Sequence, residues 1–237
     1  MNISLETIEK YFDSLNEKDF KDEMTVKNIA KEIKALNDTK EKTISTDRAS
    51  TKSIIFDGNL NIVINKNVEV FENLIVTGDL WIQSNELKIT KNLIVGGNLY
   101  LQLDNLIGAG TYDLVNQEYL DKICFFVGGS IISKSKTNLD FDFGVAYLTV
   151  CGESYIAGNC YFNNGNCNFY NKVTIDSDLI TKSLLLCNCD KVNLNGKVAI
   201  LKEIKTVGNN TILAKKNFLY KDCTEIYGKS LYINPLI

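Results

Sequence analysis

The chain of 237 residues contains no histidine and only one proline, Pro235. Histidine is the commonest general base and the commonest zinc ligand, so its absence excludes the Ser-His-Asp and Cys-His catalytic sets. Chains with long irregular loops ordinarily use more proline, whereas regular elements joined by short turns do not need it. The two absences together favour a regular architecture without catalytic activity.

Strong positive charge and long apolar runs are also missing. The net charge at pH 7 is −3, so the chain has no excess of positive charge for binding nucleic acid or an anionic membrane. No apolar run is long enough to cross a membrane, and residues 1–6 lack the basic start and apolar core of a signal peptide. We therefore predict a cytoplasmic protein with no membrane span and no nucleic-acid partner.

The glycine motifs that bind phosphates or dinucleotides are absent as well, so no cofactor is predicted. The segment Val26–Ile33 resembles the first helix of a helix-turn-helix DNA reader. The glycine turn and the recognition helix of that motif do not follow it. This segment therefore leaves the prediction of no nucleic-acid partner unchanged.

The seven cysteines are an odd number, which together with the missing secretory signal argues against a disulfide framework. Free cysteine is among the most buried residue types, so we predict that these residues fill the core as small apolar side chains. A zinc site remains the alternative for four of them, although Cys-x6-Cys and Cys-x-Cys differ from the usual knuckle spacing. Those four are Cys160, Cys167, Cys187 and Cys189.

An internal repeat carries most of the structural information. Residues 74–82 (LIVTGDLWI) recur 19 residues later as residues 93–101 (LIVGGNLYL). A fixed period of about 20 residues is typical of a solenoid, in which each repeat forms one coil. Apolar side chains alternate from positions 74, 80, 87 and 93, which indicates three short strands per repeat. The sequence therefore predicts a mainly β fold, a right-handed parallel β-helix with triangular coils over residues 53–237.

The same alternation is found in other parts of the chain and predicts further inward pairs. They are Leu60/Ile62, Val68/Val70, Cys160/Phe162, Cys167/Phe169, Val173/Ile175, Val192/Leu194 and Val198/Ile200. Glycine, asparagine and aspartate recur between the pairs, as tight corners require. Stacked asparagines are expected to form hydrogen-bonded ladders between successive coils.

The N-terminal residues follow a different period. Apolar spacing predicts amphipathic helices over residues 4–15 and 25–37, the second with Thr25 as its N-cap. Residues 37–52 are polar and aperiodic, which indicates a linker. The predicted organisation is a helical segment over residues 1–52 followed by the β-helix, with the helices capping the open end of the solenoid.

The repeat unit at residues 93–101 resembles that of bactofilins, the bacterial polymer-forming cytoskeletal proteins. The resemblance covers residues 55–103 and continues more loosely to residue 200. It implies a right-handed parallel β-helix that associates end to end into filaments without nucleotide. The chain departs from that pattern by its N-terminal helical segment and by a spacing of 32 residues between Gly97 and Gly129.

This long spacing marks an insertion within residues 98–128, in which residues 114–120 are expected to form a short helix. Insertions in solenoids lie on one face, which is often the binding face. Asp140 and Asp142 form a tight carboxylate pair on one strand face, a type of pair that can also do acid–base work on carbohydrates. The predicted partner-binding residues are Tyr112, Asp113, Glu118, Tyr119, Asp140 and Asp142.

The sequence thus predicts a non-enzymatic solenoid, without metal or cofactor, that offers a rigid surface for protein binding or for self-association through its coil ends. A monomeric cytoplasmic binder, such as a toxin-neutralising immunity protein, is the alternative. A carbohydrate-active β-helix enzyme is the third interpretation. Pro235 would blunt a strand edge at the C-terminal end and so favours a closed end there.

Overall fold

The computed structural model describes residues 3–46, 51–65, 69–110 and 122–216, together with six short stretches, 112–113, 115–116, 118–119, 218–220, 226–227 and 231–235. Helix α1 spans Ile8–Ser14 and follows a 3-10 turn, and helix α2 spans Glu23–Ala35 after a second 3-10 turn. The two 3-10 turns are Leu5–Thr7 and Asp19–Lys21. None of the described helices is long and apolar enough to span a membrane.

The strands follow the helices in one continuous series. In chain order they are β1 (Glu41–Thr46), β2 (Thr51–Phe56), β3 (Asn59–Ile64), β4 (Glu69–Val76), β5 (Leu80–Gln83), β6 (Glu86–Val95), β7 (Leu99–Gln102), β8 (Asn105–Ala109), β9 (Tyr112–Asp113), β10 (Glu118–Tyr119), β11 (Lys122–Val127), β12 (Ile131–Ser133), β13 (Asn138–Phe143), β14 (Val145–Val150), β15 (Ser154–Ile156), β16 (Cys160–Phe169), β17 (Val173–Ile175), β18 (Leu179–Cys187), β19 (Val192–Leu194), β20 (Val198–Val207), β21 (Asn210–Ala214), β22 (Phe218–Tyr220), β23 (Ile226–Tyr227) and β24 (Leu231–Pro235).

The strands stack in parallel into a three-sided solenoid, which confirms the predicted fold class. Face A is the ten-stranded sheet β1-β3-β5-β7-β12-β15-β17-β19-β21-β24. The second sheet bends at a corner, where the register shifts, for example between Phe71 and Asn73 of β4. Face B is the part of that sheet before the corner, such as β8 and β13, and face C is the part after it, such as β11 and β14. Leu80 pairs with Leu99, so the regular coil is 19 residues long.

The alternating apolar residues point into the solenoid and form one continuous core. Leu74, Leu80, Leu87 and Leu93 are all completely buried in it. The later pairs that begin at Cys160, Cys167, Val173, Val192 and Val198 are buried in the same core, as predicted. The parallel ladder stacks equivalent side chains of successive coils, so each coil completes the core of its neighbours.

Asparagine and aspartate side chains tie the corners together, as expected. The side-chain oxygen Asn59 Oδ1 accepts the backbone N–H of Asp79 at 2.8 Å, and Asp79 Oδ1 accepts that of Asn98 at 2.7 Å. Asn98 Oδ1 in turn accepts the backbone N–H of Ser130 at 2.9 Å. A second ladder of the same kind joins Asn138, Asn159, Asp178 and Lys197.

Close approach between coils explains the corner glycines better than backbone conformation does. A Cβ atom at Gly97 would lie 2.2 Å from Asp79 Oδ1 and 2.8 Å from the carbonyl carbon of Gly78. Only Gly58 and Gly208 among the described glycines adopt a positive φ. Most corners therefore use glycine because the preceding coil occupies the space of a side chain.

The N-terminal helices lie along the side of the solenoid, so the prediction that they cap its end is wrong. We call residues 3–36 the N-terminal cover. Ile8, Phe12, Ile29 and Ile33 are buried against outward side chains of face C, in a cluster separate from the solenoid core. The helices take this position because face C presents apolar residues outward, and these need a partner to exclude water.

Three local predictions are also corrected by the structure. Strand β1 lies within residues 37–52, so this segment is not simply a linker, and the solenoid begins before residue 53. The N-cap of α2 is Asp22, whose carboxylate accepts the backbone N–H of Thr25 at 2.9 Å. The β-branched residues Thr43 and Ile44 favour a strand. Aspartate is a preferred N-cap residue, because its carboxylate accepts a backbone N–H of the first helical turn.

Candidate interaction surfaces

Asp140 and Asp142 lie on the outward side of β13, as their spacing predicts, and alternate with the buried Leu139 and Phe141. Asp142 Oδ1 accepts the backbone N–H of Asn163 at 3.0 Å, and its Oδ2 accepts the side-chain N–H of Asn163 at 2.8 Å. Asp142 therefore performs at this corner the same function as the other ladder residues. Burial raises the pKa of Asp142, the N–H of Asn163 opposes this, and the charge of Asp140 adds to the rise.

Replacing Asp142 separates its hydrogen bonds from its charge. We expect Asp142→Ala to lower the free energy of unfolding by about 1–3 kcal/mol, because the N–H of Asn163 loses its acceptor. Asp142→Asn keeps an acceptor oxygen for the backbone N–H of Asn163, and a turned Asn163 amide accepts from the new side-chain N–H. The substitution also removes a charge that burial disfavours, so at neutral pH it should be slightly more stable than the parent. Urea unfolding of the three proteins measures both effects.

The sign of the pH dependence follows from the raised pKa of Asp142. A carboxyl with a higher pKa in the folded state stabilises the fold at low pH, and this contribution is lost as the pH rises through that pKa. The advantage of Asp142→Asn should therefore be absent near about pH 3 and complete near about pH 7. An advantage that grows on acidification would contradict this account.

The insertion forms a hairpin, so the short helix predicted over residues 114–120 is wrong. Strands β9 and β10 pair antiparallel, with Glu118 opposite Asp113 and Tyr119 opposite Tyr112. Val115, between the two strands, is 88% exposed. Four of the six predicted partner-binding residues are thus paired in register by the backbone of this hairpin, and the parallel coils resume at β11.

The hairpin leaves the solenoid next to the strand that carries the two aspartates. A Cβ atom at Gly144 would lie 3.6 Å from the Cα atom of Gly110, just before the hairpin. Phe143 of β13 pairs with Ala109 of β8. The structure therefore brings the base of the insertion close to the end of the strand that contains Asp140 and Asp142.

The four candidate zinc ligands occupy different environments. Cys160, Cys167 and Cys189 lie in the solenoid core, whereas Cys187 points outward and is buried beneath the N-terminal cover. Its thiol donates to Glu23 Oε2 at 2.9 Å, and burial together with this carboxylate raises its pKa to about 12. Within the described residues, no three His, Cys, Asp or Glu side chains are placed to hold a metal ion.

An open strand edge at the first coil is the surface that the sequence pattern missed. β1 pairs with β3 and β2 pairs with β4, and no strand of the described chain pairs with their other edges. Asn59 N–H donates to the carbonyl of Lys40, and in a parallel ladder the bonding groups alternate in direction. The backbone groups of Thr43 and Ser45 therefore point away from β3. The β-branched residues Thr43, Ile44 and Thr46 were the available signal for this strand.

The inward side chains at this end of the solenoid are less buried than those of the coils that follow it. Ile44, Ile54 and Phe56 continue the core but are only partly buried. Lys42 stands at an inward position opposite Leu60, and its ammonium lies 6.0 Å from the centre of the Phe56 ring. The first coil thus combines a backbone edge that no described strand pairs with and a partly exposed apolar core, over which Lys42 lies.

These features define a parallel β-solenoid with a lateral helical cover and an open first coil. No protein-family model, curated protein or solved structure matches the chain.

Proposed function

We propose that this protein is a non-enzymatic scaffold that self-associates end to end through its first coil. The open edges of β1 and β2 carry the proposal, because the N-terminal cover lies on the side of the solenoid and leaves them accessible. An unpaired edge offers a row of N–H and C=O groups to another strand. The bactofilin-like repeat supports the same interpretation.

At the other end of the described chain, the last strands continue the parallel pairing of the solenoid. β22 and β23 pair with β20, and β24 pairs with β21, in the same parallel register as the preceding coils. A second copy docked there would continue all three faces of the solenoid. Such a head-to-tail contact does not close on itself and generates an open filament. Pro235 pairs with Ala214 at the end of β24 and removes only one donor from that edge.

Lys42 makes this association reversible. Inward-pointing charge on an edge strand is one way in which proteins limit edge-to-edge pairing. The ammonium beside Phe56 keeps the free end in water, and docking of a second coil displaces it towards solvent. Association is therefore expected to depend on protein concentration and on salt.

Replacing Thr43 tests the edge directly. Thr43→Pro removes an N–H that points away from β3 and leaves the ladder to β3 intact, whereas Thr43→Val keeps this N–H and serves as the control. We expect the parent and Thr43→Val to form filaments in negative-stain images. The proline variant should need at least tenfold higher protein concentration, as followed by light scattering.

A parent protein that stays monomeric at every concentration would refute end-to-end association. So would equal association of Thr43→Pro and the parent, provided that circular dichroism shows the same β-sheet content in both.

The hairpin supports a second candidate, a monomeric binder of another protein. Its specific observation is the hairpin of β9 and β10, which interrupts an otherwise regular coil series and has the exposed Val115 between its strands. This function is favoured if the parent remains monomeric and a protein from the native host is retained by the parent. Replacing residues 111–120 by a two-residue corner should then abolish retention without lowering stability.

A further inference from the structure

Face A carries a continuous row of large side chains on its outward side. Trp81 pairs with Tyr100, Tyr100 with Ile132, and Ile132 with Tyr155, so the four occupy equivalent positions of four successive coils. The first three are partly exposed, and Tyr155 is 43% exposed. We call these four residues the outer row.

The outer row is ordered by contacts within the sheet. The rings of Trp81 and Tyr100 are stacked, with their centres 5.0 Å apart. The ammonium of Lys134 lies 5.9 Å from the first ring centre and 5.6 Å from the second. The hydroxyl of Tyr155 donates to Asp176 Oδ2 at 2.9 Å. These side chains are therefore held in place before a partner binds, which lowers the entropic cost of an interface.

Polar residues bound the outer row at both ends and along both sides. Asn61 of β3 precedes it, and Thr174 of β17 follows it. The exposed side chains that flank it are Gln83, Gln102, Lys134, Glu153 and Lys172. A depression of about 280 Å³ lies beside Ile132 and Tyr155. Tryptophan and tyrosine within a polar rim are typical of the centre of a protein interface.

The charges on face A are complementary to those of a second copy of the same face. Lys172 and Asp176 are exposed and lie directly before and after β17, about 13 Å apart along the strand. A two-fold axis parallel to the stack of coils would place each strand opposite its own equivalent, running in the other direction. Lys172 would then lie opposite Asp176 of the second copy, and Asp176 opposite its Lys172.

No like charges lie directly opposite each other in this arrangement between β5 and β19. The other facing pairs are Asp79 with Gln83, Asn98 with Gln102, Ser130 with Lys134, Glu153 with Ala157, and Lys191 with Asn195. From β1 to β21, face A has nine strands and extends about 38 Å along the stack. Contact over this length and over about 13 Å of strand would bury on the order of 1,000 Å² in total. Specific interfaces begin at about this size, so we expect a reversible dimer.

We infer that face A is a two-fold interface through which two copies of this chain pair side by side, with the outer row at its centre. A rotation about an axis parallel to the stack leaves the direction of the stack unchanged. Both first coils therefore lie at the same end of the pair, and end-to-end growth can continue on both copies. The inference rests on the proposed function only for this last point, because such a dimer can form without filaments.

An exchange of charges around β17 tests the pairing. Asp176→Lys puts a lysine opposite a lysine, and Lys172→Asp puts an aspartate opposite an aspartate, so each variant repels a second copy of itself. In an equimolar mixture of the two variants, every contact of a mixed pair joins a lysine to an aspartate. Lys202→Asp introduces an aspartate at an exposed position outside face A and is the control. All are made in the full chain with Thr43→Pro, and also in the parent below the concentration at which filaments form.

Sedimentation equilibrium measures the dimer dissociation constant, and circular dichroism reports the β-sheet. We expect each of the two variants alone to dimerise at least about tenfold more weakly than its parent, because like charges then meet twice in the interface. The mixture should recover the dimer, and Lys202→Asp should leave it unchanged. Ile132→Lys, which places a charge in the middle of the outer row, should abolish it.

A monomer at every concentration overturns the inference and leaves face A to a different partner. So do variants that dimerise as strongly as their parent, and so does a mixture that dimerises no better than either variant alone. A dimer without filaments supports this inference and refutes only the end-to-end proposal. Filaments of the parent combined with a monomeric Thr43→Pro variant do the reverse.

Discussion

Phe141→Ala is expected to lower the free energy of unfolding by about 3–5 kcal/mol, the usual cost of emptying a buried phenylalanine site. Phe141 is completely buried, and its ring centre lies 5.3 Å from that of Phe125 and 5.0 Å from that of Phe162. Removing the middle ring therefore breaks two aromatic contacts and leaves a cavity. Gly108 lies against this ring, where a Cβ atom would be 2.3 Å from it.

The loss at Phe141 should concentrate in the coils next to it, because each solenoid repeat is stabilised mainly by its immediate neighbours. Urea unfolding measures the total change, and hydrogen exchange in β8, β13 and β16 locates it. Leu201→Ala is the control, since Leu201 is 45% exposed and its replacement should change stability by less than about 0.5 kcal/mol. A loss below about 1 kcal/mol for Phe141→Ala would show that the stack is not a main source of stability.

Gly165→Ala is expected to be the second most damaging substitution, with a loss of about 3 kcal/mol or more. A Cβ atom at Gly165 would lie 1.8 Å from the carbonyl oxygen of Ala146 and 2.7 Å from its carbonyl carbon. Both are backbone atoms of the preceding coil, so no side-chain rotation relieves the overlap. The strands β14 and β16 would have to separate at this corner.

Thermal and urea unfolding of Gly165→Ala, with Asn164→Ala as the neighbouring control, measure this effect. Asn164 is exposed, and its side chain donates only a long hydrogen bond of 3.4 Å to the carbonyl of Asp142. Its replacement should therefore cost less than about 1 kcal/mol. Equal losses for the two variants would indicate that the coils can spread at this corner.

The period of the repeat and the inward residues could be predicted because alternation within a strand is a local property. The pairs at Leu74, Leu80, Leu87 and Leu93 each lie on one face whatever the rest of the chain does. Beside an irregular corner, the alternation pattern predicted the inward residues one position away from where the structure has them. Val68 and Val70 were expected to point inward, but Phe71 does so beside the corner, Val70 faces outward, and Val68 lies outside the described residues.

The candidate surfaces could be predicted only in part. The spacing of Asp140 and Asp142 placed them on one strand face, but the partner of Asp142 is Asn163, which lies 21 positions later in the next coil. The hairpin residues were identified by the length of the insertion, while their conformation was not. Thr43 and Ser45 were missed because their polar segment resembles a linker unless its pairing with β3 is known.

The sequence by itself determined the coil, its period, its inward side chains and its asparagine corners, since these follow from contacts between equivalent residues of adjacent repeats. The tertiary structure decided the use of the outward side chains. Ile94 and Cys187 alternate as outward residues of ordinary strands, and only the position of α2 buries them. That position depends on contacts with strands far away in the chain, since Ile33 lies over Gly96 and Glu23 contacts Cys187, and no local pattern contains them.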